Sequence, residues 1–492
     1  MSEDGAARVA RSAAIRAELL AGIRRLRPEF EAAGERAEKL RTLPEETVAT
    51  LRAMGAFWLK TPAEVGGTPL APLDFCDVME EFGYADSATA WTVMVGNGGT
   101  GTAGGWLPDA GARRVFEPGR PPPLIVGTPG PRGTGRAVPG GYVVSGSWGF
   151  ASGVAYADWL IGGFRVPGGD GEPGQPDRLL VAVVPRDQVQ IIDNWRVAGL
   201  QGSGGFDFRM ADVFVPAELT FERAASACRG GAVFRQEAHV FLSNEVPPLC
   251  VGIARRALDE MTGLAGRTAR FPGGPALADR AVFHKELGRA ETRLRAARLA
   301  HRHAVVAALA AAARADGATP GSAHPADAVA ATSDVDGAHA AVAAASVYTV
   351  ETCAEVIADL FRYGGGRVLS LASPLQRYLR DVLAARQHIG VSEENYERLG
   401  RARLRSRRTH PRELPHLSLF CETVDSVNQS SRVLWGGCGL VKAVARGPGD
   451  SGPEAQVGGG GRVSGQRPGT ERRSGVVIIV RVRARCPERA RA

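Results

Sequence analysis

Two changes of residue pattern along the chain constrain its fold more than any other feature. Residues 1–121 are rich in Ala, Glu, Arg and Leu, with apolar residues three and four positions apart, which is typical of amphipathic helices. Residues 122–225 carry short β-branched runs between Gly, Pro and Asp, which predicts an antiparallel sheet or small barrel. Residues 235–404 return to long Ala-, Leu- and Arg-rich segments. This order predicts a mainly α protein with a central β domain, in three subdomains.

Local signals mark where helices in the first section begin and end. The sequence Pro44-Glu45-Glu46 predicts a helix start, because proline suits a first turn and acids favour the positive end of the helix dipole. Apolar residues three and four positions apart from Ile15 to Leu51 predict helical structure, and a Gly/Pro break follows from Pro62 to Pro72. The pair Asp86-Ser87 is a good cap and predicts another helix start.

The last part of the chain differs from the rest in charge. Residues 401–492 contain 18 Lys+Arg and 7 Asp+Glu, whereas the whole chain contains 60 and 52. The remainder is therefore close to neutral, and its composition gives no argument for nucleic-acid binding. Residues 405–492 are rich in Gly and Arg and have almost no helical or strand period, so they are predicted to form a basic, disordered tail.

Several classes of protein are not expected from this composition. The seven cysteines lie far apart and form no CxxC pair, which argues against a zinc or iron–sulfur site and fits a reducing cytoplasm. No run of about 18 uninterrupted apolar residues occurs, so no membrane span is expected. The N-terminus lacks the basic start and apolar stretch of a secretory signal. We therefore expect a cytoplasmic protein without a metal, membrane or nucleic-acid partner.

A set of short motifs in a consistent order gives the chain a family resemblance. The motifs are Leu43-Pro44 through Met54-Gly55-Ala56, Pro62-Ala-Glu-Val-Gly66-Gly67, Trp148-Gly-Phe-Ala-Ser152-Gly153, Trp195 through Gly204, Asp212-Val-Phe-Val-Pro216 and Arg380 through Ser392. With these motifs, residues 25–402 resemble the acyl-CoA dehydrogenase superfamily. They look most like its two-component (group D) flavin-dependent monooxygenase branch. The resemblance implies an N-terminal helical domain, a central β barrel or sandwich, a C-terminal four-helix bundle and a homotetramer.

The segment Trp148–Gly153 is the first candidate site. Because strand residues alternate between faces, Trp148, Phe150 and Ser152 are expected to point the same way after the strand Gly141–Val144. Two aromatic surfaces and a hydroxyl on one wall suit an isoalloxazine ring. The resemblance implies that Ser152 lies at the flavin N5 edge, protects the oxygen adduct there, and has Trp148, Phe150 and Gly153 beside it. The alternative is that the aromatic residues belong to the core and Ser152 is an ordinary turn residue.

Three further segments are candidates for cofactor binding. The Gly-rich loop Gly199–Gly205 contains Ser203, and its backbone can approach a ligand closely. The resemblance places this loop beside the flavin or substrate, whereas a cluster of turns that shapes the sheet is the alternative. It also implies flavin contacts for Arg270-Phe271 and for Gly365, and an arginine fork suits a flavin phosphate. The alternative for Arg270 is a solvent-exposed residue at a helix end.

His388 is the candidate catalytic residue on which the choice of chemistry depends. The dehydrogenases usually carry a glutamate base about eight residues after the Arg-Asp pair, but the eighth residue after Asp381 is Ile389, and none of residues 382–392 is acidic. In the monooxygenase branch a Gln-His pair is characteristic of this place. Histidine can take a phenol proton or stabilise the phenolate, because its pKa lies near neutrality. The alternative for a lone histidine on an Ala-rich helix is a packed or surface side chain.

One departure from the family pattern concerns Asn97. Several monooxygenases of the branch carry a second histidine near this position, and this chain has no histidine before His239. Asn97 is retained as a catalytic candidate that can donate and accept hydrogen bonds but cannot act as a base. The departure leaves room for an amine, or for an aromatic ring that is already acidic, as the substrate.

The resemblance implies an oxygenase that receives reduced flavin, FMN or FAD, from a separate flavin reductase. Dioxygen would form a flavin hydroperoxide, which would hydroxylate an aromatic, phenolic or polyketide-like small molecule or oxidise an amine. Two alternatives remain at this point. An acyl-CoA dehydrogenase or oxidase would require a carboxylate facing the flavin, whereas a catalytically silent member acting as an assembly partner would not retain flavin.

Overall fold

A computed structural model describes residues 3–168, 176–231, 234, 245–267, 274–317 and 325–409. The described α-helices are α1 Glu3–Arg25, α2 Arg27–Leu40, α3 Glu45–Ala53, α4 Pro72–Ala85, α5 Ser87–Trp106, α6 Asp109–Val115, α7 Val246–Ala265, α8 Ala281–Gly317, α9 Pro325–Phe361, α10 Pro374–Ala385 and α11 Glu394–Thr409. The strands are β1 Ile125–Val138, β2 Gly141–Trp148, β3 Trp159–Val166, β4 Arg178–Pro185, β5 Gln190–Ile192, β6 Asp207–Pro216 and β7 Thr220–Glu222. Residues up to Arg412 form one compact unit that contains all these elements.

The first section is helical, as its apolar spacing predicts, but the pattern from Ile15 to Leu51 is divided among three helices. The first break is at Leu26, just before the proline in the first turn of α2. The second follows Leu40, where Arg41 adopts a left-handed conformation with φ 60°. The predicted start at Glu45 is confirmed by α3, and the side chain of Asp86 accepts a hydrogen bond from the Thr89 amide, capping α5.

The central section forms a seven-stranded sheet with the order β5-β6-β2-β1-β3-β4-β7 among the described strands. The β-branched runs predicted as strands lie in β2 to β6. The sheet is not wholly antiparallel, because β1 pairs in parallel with β3 while it pairs antiparallel with β2. Sequence patterns missed β1, since its residues are mainly Gly, Pro and Arg and its strand form depends on hydrogen bonds to β2 and β3.

Long helices form the third section. Helices α8 and α9 pack along each other, and α7 packs against α4 and α9. Within α9, Val335–Phe361 is long and apolar enough to cross a membrane by length and composition alone, but 72% of its apolar window is buried inside the protein. Burial to this extent is typical of a helix in the core of a folded protein. Helix α11 extends to Thr409, beyond the boundary predicted at residue 404, and the predicted disordered tail lies outside the described residues from residue 410 onward.

Close contact between backbones brings the first section onto the sheet. Helix α5 is built largely from Ala, Thr and Gly, and it packs against β1. A Cβ atom at Gly99 would overlap the carbonyl oxygen of Ile125, the first residue of β1. Glycine at this position therefore allows α5 to lie directly on the strand. This contact holds α5 against the sheet.

Candidate functional site

The turn after β2 arranges its side chains differently from the predicted strand alternation. Strand β2 ends at Trp148, and Phe150 has a left-handed backbone with φ 61°. Trp148 is fully buried, stacks on Phe208 with ring centroids 5.1 Å apart, and donates from its indole to the Gly163 carbonyl at 2.8 Å. The expected common wall of Trp148, Phe150 and Ser152 is therefore wrong. Trp148 supports the turn from the core of the sheet and presents no surface to a ligand.

Phe150, unlike the buried Trp148, faces solvent. Its side chain is 75% exposed although it is a large aromatic residue, and its ring meets Trp195 edge-on with centroids 6.0 Å apart. A left-handed conformation costs a residue with a side chain about 1–2 kcal/mol. Such strain is found preferentially at functional sites, where the surrounding structure holds the residue in place. The exposed phenyl ring is consistent with a surface that a flat ligand covers.

The hydroxyl of Ser152 is the central polar group of the site. Ser152 is 3% exposed, and its Oγ accepts a hydrogen bond from the indole nitrogen of Trp91 at 3.1 Å. The Oγ atom of Ser203, which is fully buried, lies 3.4 Å away. The Gly153 amide donates to the Ser203 carbonyl at 3.0 Å, and Gly153 takes φ 81°, which favours glycine. The predicted residues Ser152, Gly153 and Ser203 thus come together.

His388 approaches the same group from the third section. It precedes a short 3-10 helix, Ile389–Val391, and its ring meets Trp91 edge-on with centroids 5.6 Å apart and planes at 81°. The Gly390 amide donates to Nδ1 at 3.1 Å. Because a backbone N–H can only donate, Nδ1 carries no proton, and the neutral ring has its proton on Nε2. In this arrangement His388 presents an N–H donor rather than a base at Nε2.

The Arg380-Asp381 pair holds α10, and with it His388, against the other two sections. Arg380 donates to the Ala198 carbonyl at 2.9 Å and to Glu38 at 2.7 Å. One oxygen of Asp381 accepts from the Leu200 amide at 2.6 Å, and the other accepts from the hydroxyl of Ser87. Burial raises the pKa of the Asp381 carboxyl to about 6, although both hydrogen bonds oppose this change.

The Gly-rich loop is shaped by this contact. A Cβ atom at Gly199 would overlap the carbonyl oxygen of Arg380, so only glycine permits the loop to meet α10 at this distance. The loop then continues through a 3-10 turn, Gln201–Ser203, which places Ser203 next to Ser152. The loop therefore packs against the bundle and contributes a hydroxyl to the cluster, and its contact with a flavin or substrate stays a prediction.

Asn97 has a structural role instead of the predicted catalytic one. Its side chain is fully buried, and its amide nitrogen donates to the carbonyls of Ala56 at 2.7 Å and Val93 at 2.9 Å. Its oxygen accepts from the Lys60 amide at 3.1 Å. Both N–H groups are therefore engaged by backbone, and the side chain anchors the segment after α3 to α5 rather than facing a reacting group.

The remaining predicted cofactor residues are Gly365, Arg270 and Phe271. Gly365 has φ 62° and begins a 3-10 helix, Gly365–Leu369, before α10, and its flavin contact stays a prediction. Arg270 and Phe271 lie outside the described residues. No group of three or more His, Cys, Asp or Glu side chains suited to a metal ion occurs in the part of the chain that the structure describes.

Trp91 is the member of the site that the sequence interpretation missed. It contacts both Ser152 and His388, and it is 8% exposed. A signal was present, because Trp91 and Trp106 are the only large aromatic residues in α5, whose other residues are mostly small. A tryptophan one turn after the Asp86 cap, on an otherwise small-residue helix, has space to extend toward a neighbouring element.

A separate cavity of about 540 Å³ lies away from these residues. Its lining includes Arg52, Trp58, Arg120, Asp158 and Trp159. Neither Ser152 nor His388 lines it. We place the candidate site at the Ser152 cluster because hydroxyl, indole and imidazole groups from three sections converge there, whereas Arg52 is already paired with Asp158.

Two family models match the chain at either side of the sheet. The model described as the acyl-CoA dehydrogenase N-terminal domain matches residues 23–103, and the model described as the acyl-CoA dehydrogenase C-terminal domain matches residues 247–393. The chain belongs to the acyl-CoA dehydrogenase superfamily. Membership in the superfamily and the fold class inferred from the motifs are confirmed. Around Ser152, this superfamily member carries a hydroxyl, an indole and an imidazole.

Curated relatives of this superfamily member include flavin-dependent oxygenases. Indole-3-acetate monooxygenase from Pseudomonas putida is 30% identical over 261 residues, which cover 53% of this chain and 65% of the relative. The oxygenase component of the FADH2-dependent resorcinol hydroxylase from Rhizobium sp. is 31% identical over 268 residues, which cover 51% and 63%. The chain therefore spans less than two thirds of the length of these curated relatives.

Solved structures of the superfamily resemble this chain over a longer stretch. The crystal structure of the HsaA monooxygenase from M. tuberculosis has a TM-score of 0.68 and 25% identity, and the match covers 79% of this chain and 98% of that one. The structure of XiaF from Streptomyces sp. in complex with FADH2 and glycerol has a TM-score of 0.67 at 23% identity, covering 80% and 97%. The second likeness supports the fold alone.

Proposed function

We propose that this protein is the oxygenase component of a two-component flavin-dependent monooxygenase. Its substrate would be a small aromatic molecule, phenolic or polyketide-like, or an amine. The observation that carries the proposal is the convergence of the Ser152 hydroxyl, the Trp91 indole and the His388 imidazole beside an exposed Phe150 ring. The similarity to a curated monooxygenase and to the oxygenase component of a curated FADH2-dependent hydroxylase supports the same class of reaction.

The residues of the site fit the ring of a reduced flavin, FMN or FAD. Phe150 offers an exposed aromatic face, and the buried hydroxyls of Ser152 and Ser203 offer hydrogen bonds for a polar ring edge. Gly153, with its positive φ, forms the turn beside them. Reduced flavin, when bound, supplies the electrons with which dioxygen is activated, so that one oxygen atom reaches the substrate and the other leaves as water.

The chain's own residues would exclude water and orient the substrate. Ser152, Ser203 and Trp91 are all nearly or fully buried, so the groups at the ring edge act where little water reaches them. His388 carries its proton on Nε2 and would donate a hydrogen bond to a substrate oxygen. This arrangement favours orientation of a phenol, or stabilisation of a phenolate, over removal of its proton.

The dehydrogenase alternative requires a carboxylate base at the flavin. Both oxygens of Asp381 accept hydrogen bonds, from Leu200 and Ser87. Glu393 is 77% exposed at its side chain and lies 3.7 Å from the guanidinium of Arg386. Neither carboxylate belongs to the cluster around Ser152 among the described residues. The site therefore supports oxygen transfer better than removal of a proton from an acyl chain.

The family resemblance also implies an assembly and a location for this protein. A separate flavin reductase would deliver the reduced cofactor, and the oxygenase would assemble as a homotetramer in the cytoplasm. A membrane or nucleic-acid partner is not part of the proposal. Helix α9 passes a length-and-composition test for a membrane span, but its burial in the bundle favours a core role.

Stopped-flow absorbance tests the proposed function. The full chain is mixed with photoreduced FMN or FAD and then with oxygenated buffer. We expect a delay before the absorbance of oxidised flavin returns, and Ser152→Ala should shorten that delay about tenfold through loss of a hydrogen bond in a dry site. Ser145→Ala is the matched control, because its hydroxyl bonds to Asp212 on the neighbouring strand.

Three outcomes would contradict the proposal. Immediate return of oxidised flavin in the unmodified protein, with no oxidation of a panel of phenols and amines, would reject the monooxygenase function. Desaturation of an acyl-CoA by the same preparation would establish the dehydrogenase alternative. Failure to bind either flavin in the oxidised or reduced form would favour a catalytically silent assembly partner.

A further inference from the structure

Trp91 lies between the two side chains that the proposed function uses. Ser152 belongs to the turn after β2 and His388 to the segment after α10, whereas Trp91 belongs to α5. The Trp91 indole nitrogen lies 3.1 Å from the Ser152 Oγ, and its ring centroid lies 5.6 Å from that of His388. One side chain of the first section therefore contacts one residue from each of the other two.

We propose that Trp91 is a positioning residue that sets the direction of the Ser152 hydroxyl and the orientation of the His388 imidazole. This inference rests on the proposed function, because the two residues it positions are those that would face the flavin and the substrate. It adds a residue that neither the family resemblance nor the sequence motifs assigned.

The effect on Ser152 follows from the direction of the hydrogen bond. An indole N–H can only donate, so the Ser152 oxygen must accept it, and the single hydroxyl proton has to point elsewhere. The alternative partner, Ser203, is more distant at 3.4 Å and makes a weaker contact. Trp91 thereby leaves the Ser152 proton free to turn toward a ligand at the ring edge.

The effect on His388 follows from ring packing. An edge-to-face pair of aromatic rings at this separation is favourable, and its geometry limits rotation of the imidazole. The Gly390 amide limits the same rotation through Nδ1. With both contacts the ring has one orientation and one tautomer. Removal of the Trp91 ring would take away the edge-to-face contact and leave the Gly390 hydrogen bond in place.

Trp91 is itself held firmly enough to act in this way. It lies one turn into a helix capped by Asp86, whose carboxylate accepts from the Thr89 amide at 2.8 Å. The next residue, Thr92, lies 3.4 Å by its hydroxyl from the hydroxyl of Tyr156, in the segment that follows the Ser152 turn. A displacement of α5 relative to the sheet would therefore move the Trp91 contacts with both Ser152 and His388.

Two substitutions separate the two effects. Trp91→Phe keeps an aromatic ring but removes the N–H donor, so it should release Ser152 and leave most of the packing against His388. Trp91→Leu removes the ring as well, so it should release both. Trp106→Phe is the matched control, because Trp106 is buried in the same helix and its indole donates to the Ala225 carbonyl at 2.8 Å.

The first experiment measures denaturant unfolding of the ligand-free protein for Trp91→Phe, Ser152→Ala and the double variant. A direct hydrogen bond predicts that the unfolding constants are non-additive by about fivefold. The pair Trp106→Phe and Ser152→Ala should be additive. Additivity for Trp91 and Ser152 would overturn the proposal, and because no flavin is present this result is independent of whether the protein is a monooxygenase.

The second experiment measures the delay in flavin reoxidation for the same variants. We expect Trp91→Phe to shorten the delay about fivefold in the unmodified background and to have no further effect on Ser152→Ala. Equal shortening in both backgrounds would reject action through Ser152. Absence of any delay in the unmodified protein would reject the proposed function, while the unfolding cycle would still decide the positioning role.

The link to His388 is tested by substrate binding. Trp91→Leu, but not Trp91→Phe, should raise the KM for the oxidised substrate, and this increase should disappear when His388→Gln is already present. An equal increase for the Phe and Leu variants, or an increase that persists beside His388→Gln, would show that Trp91 affects binding by another route and would overturn this part of the proposal.

Discussion

At the scale of single residues, the site is distinguished by the contrast between Ser152 and Phe150, two positions apart. The Ser152 hydroxyl is buried between Trp91 and Ser203, whereas the Phe150 ring is exposed on a left-handed backbone. A hydrophobic side chain in a strained and exposed conformation contributes little to the stability of the protein by itself. Its position is explained if a ligand covers the ring, since binding then recovers the apolar contact.

Replacement of Phe150 should therefore separate stability from ligand binding. In Phe150→Gly the left-handed conformation is no longer strained, so the free energy of unfolding should stay equal or rise by up to about 1 kcal/mol. The affinity for reduced flavin should fall about tenfold through loss of the aromatic face. Denaturant unfolding and anaerobic flavin titration measure the two effects. A clear loss of stability with unchanged flavin affinity would mean that Phe150 has a packing role.

At the scale of elements, α5 organises the first section around the site. Its first half carries Trp91, and its middle carries Asn97, which binds the carbonyl of Ala56 and the amide of Lys60. This anchored segment places the Lys60 side chain against Glu245, immediately before α7. Both side chains are buried, and the ammonium also lies 5.6 Å from the centroid of the Phe75 ring. The pair therefore connects the segment after α3 to the bundle.

Removal of one charge from this pair should destabilise the protein. Burial raises the pKa of Glu245 to about 7 and lowers the pKa of Lys60. Lys60→Met would leave a buried carboxyl without its cation, at a cost of about 3–5 kcal/mol in the free energy of unfolding. Since the folded pKa of Glu245 lies above its unfolded value, the loss should grow as pH rises through that range.

Denaturant unfolding between pH 5 and 8 measures this effect. Lys60→Met combined with Glu245→Leu should recover most of the stability, because no buried charge is then left unpaired. Arg120→Met is the control, since its ion pair with Glu117 is on the surface, and such pairs contribute at most about 1 kcal/mol. A cost for Lys60→Met no larger than that of the control would contradict the predicted role of the pair.

At the scale of the whole molecule, Asp381 joins the three sections. It lies in α10, it accepts from the Leu200 amide of the Gly-rich loop, and it accepts from Ser87 at the start of α5. Arg380 adds contacts to Ala198 and to Glu38 in α2. Buried Asp381 and partly exposed Arg380 thus fix the relative position of the elements that carry Trp91, Ser203 and His388. The site depends on this junction although Asp381 does not belong to the proposed chemistry.

The junction should make stability depend on pH. The pKa of Asp381 is about 6 in the folded protein, above its ordinary value of 3.8, so the stabilisation is greatest below pH 4 and is lost as pH rises toward 6. The difference amounts to up to about 3 kcal/mol in the free energy of unfolding. Asp381→Asn should remove this contribution and leave that of Glu245, and its amide should also cost about 1–3 kcal/mol by facing two donors.

Unfolding measured at pH 4.5 and pH 7 tests this prediction. The exposed Asp187→Asn variant serves as the control and should follow the unmodified protein at both pH values. The same pH dependence in Asp381→Asn as in the unmodified protein would show that another group is responsible. Stability of the unmodified protein should decline between these values relative to the Asp381→Asn variant, and the opposite sign would refute the assignment.

The sequence alone determined the order of the three sections, the superfamily and the candidates Ser152, Ser203 and His388. Helical spacing and β-branched runs are local patterns, and they mark elements before any contact between them is known. The rule that strand residues alternate between faces failed at Phe150, because strand β2 ends at Trp148 and Phe150 adopts a left-handed backbone conformation. Strand β1 was missed because its form depends on two neighbouring strands rather than on its own residues.

Only the tertiary structure decided which of these candidates meet and what each one does. It placed Trp91 between Ser152 and His388. It also showed that the Asn97 side chain binds backbone groups and that Trp148 packs in the core of the sheet. The physical reason is that these functions depend on distances between residues from 61 to almost 300 positions apart in the chain. Such distances are set by packing of whole elements at the junction of Asp381, and no local residue pattern encodes them.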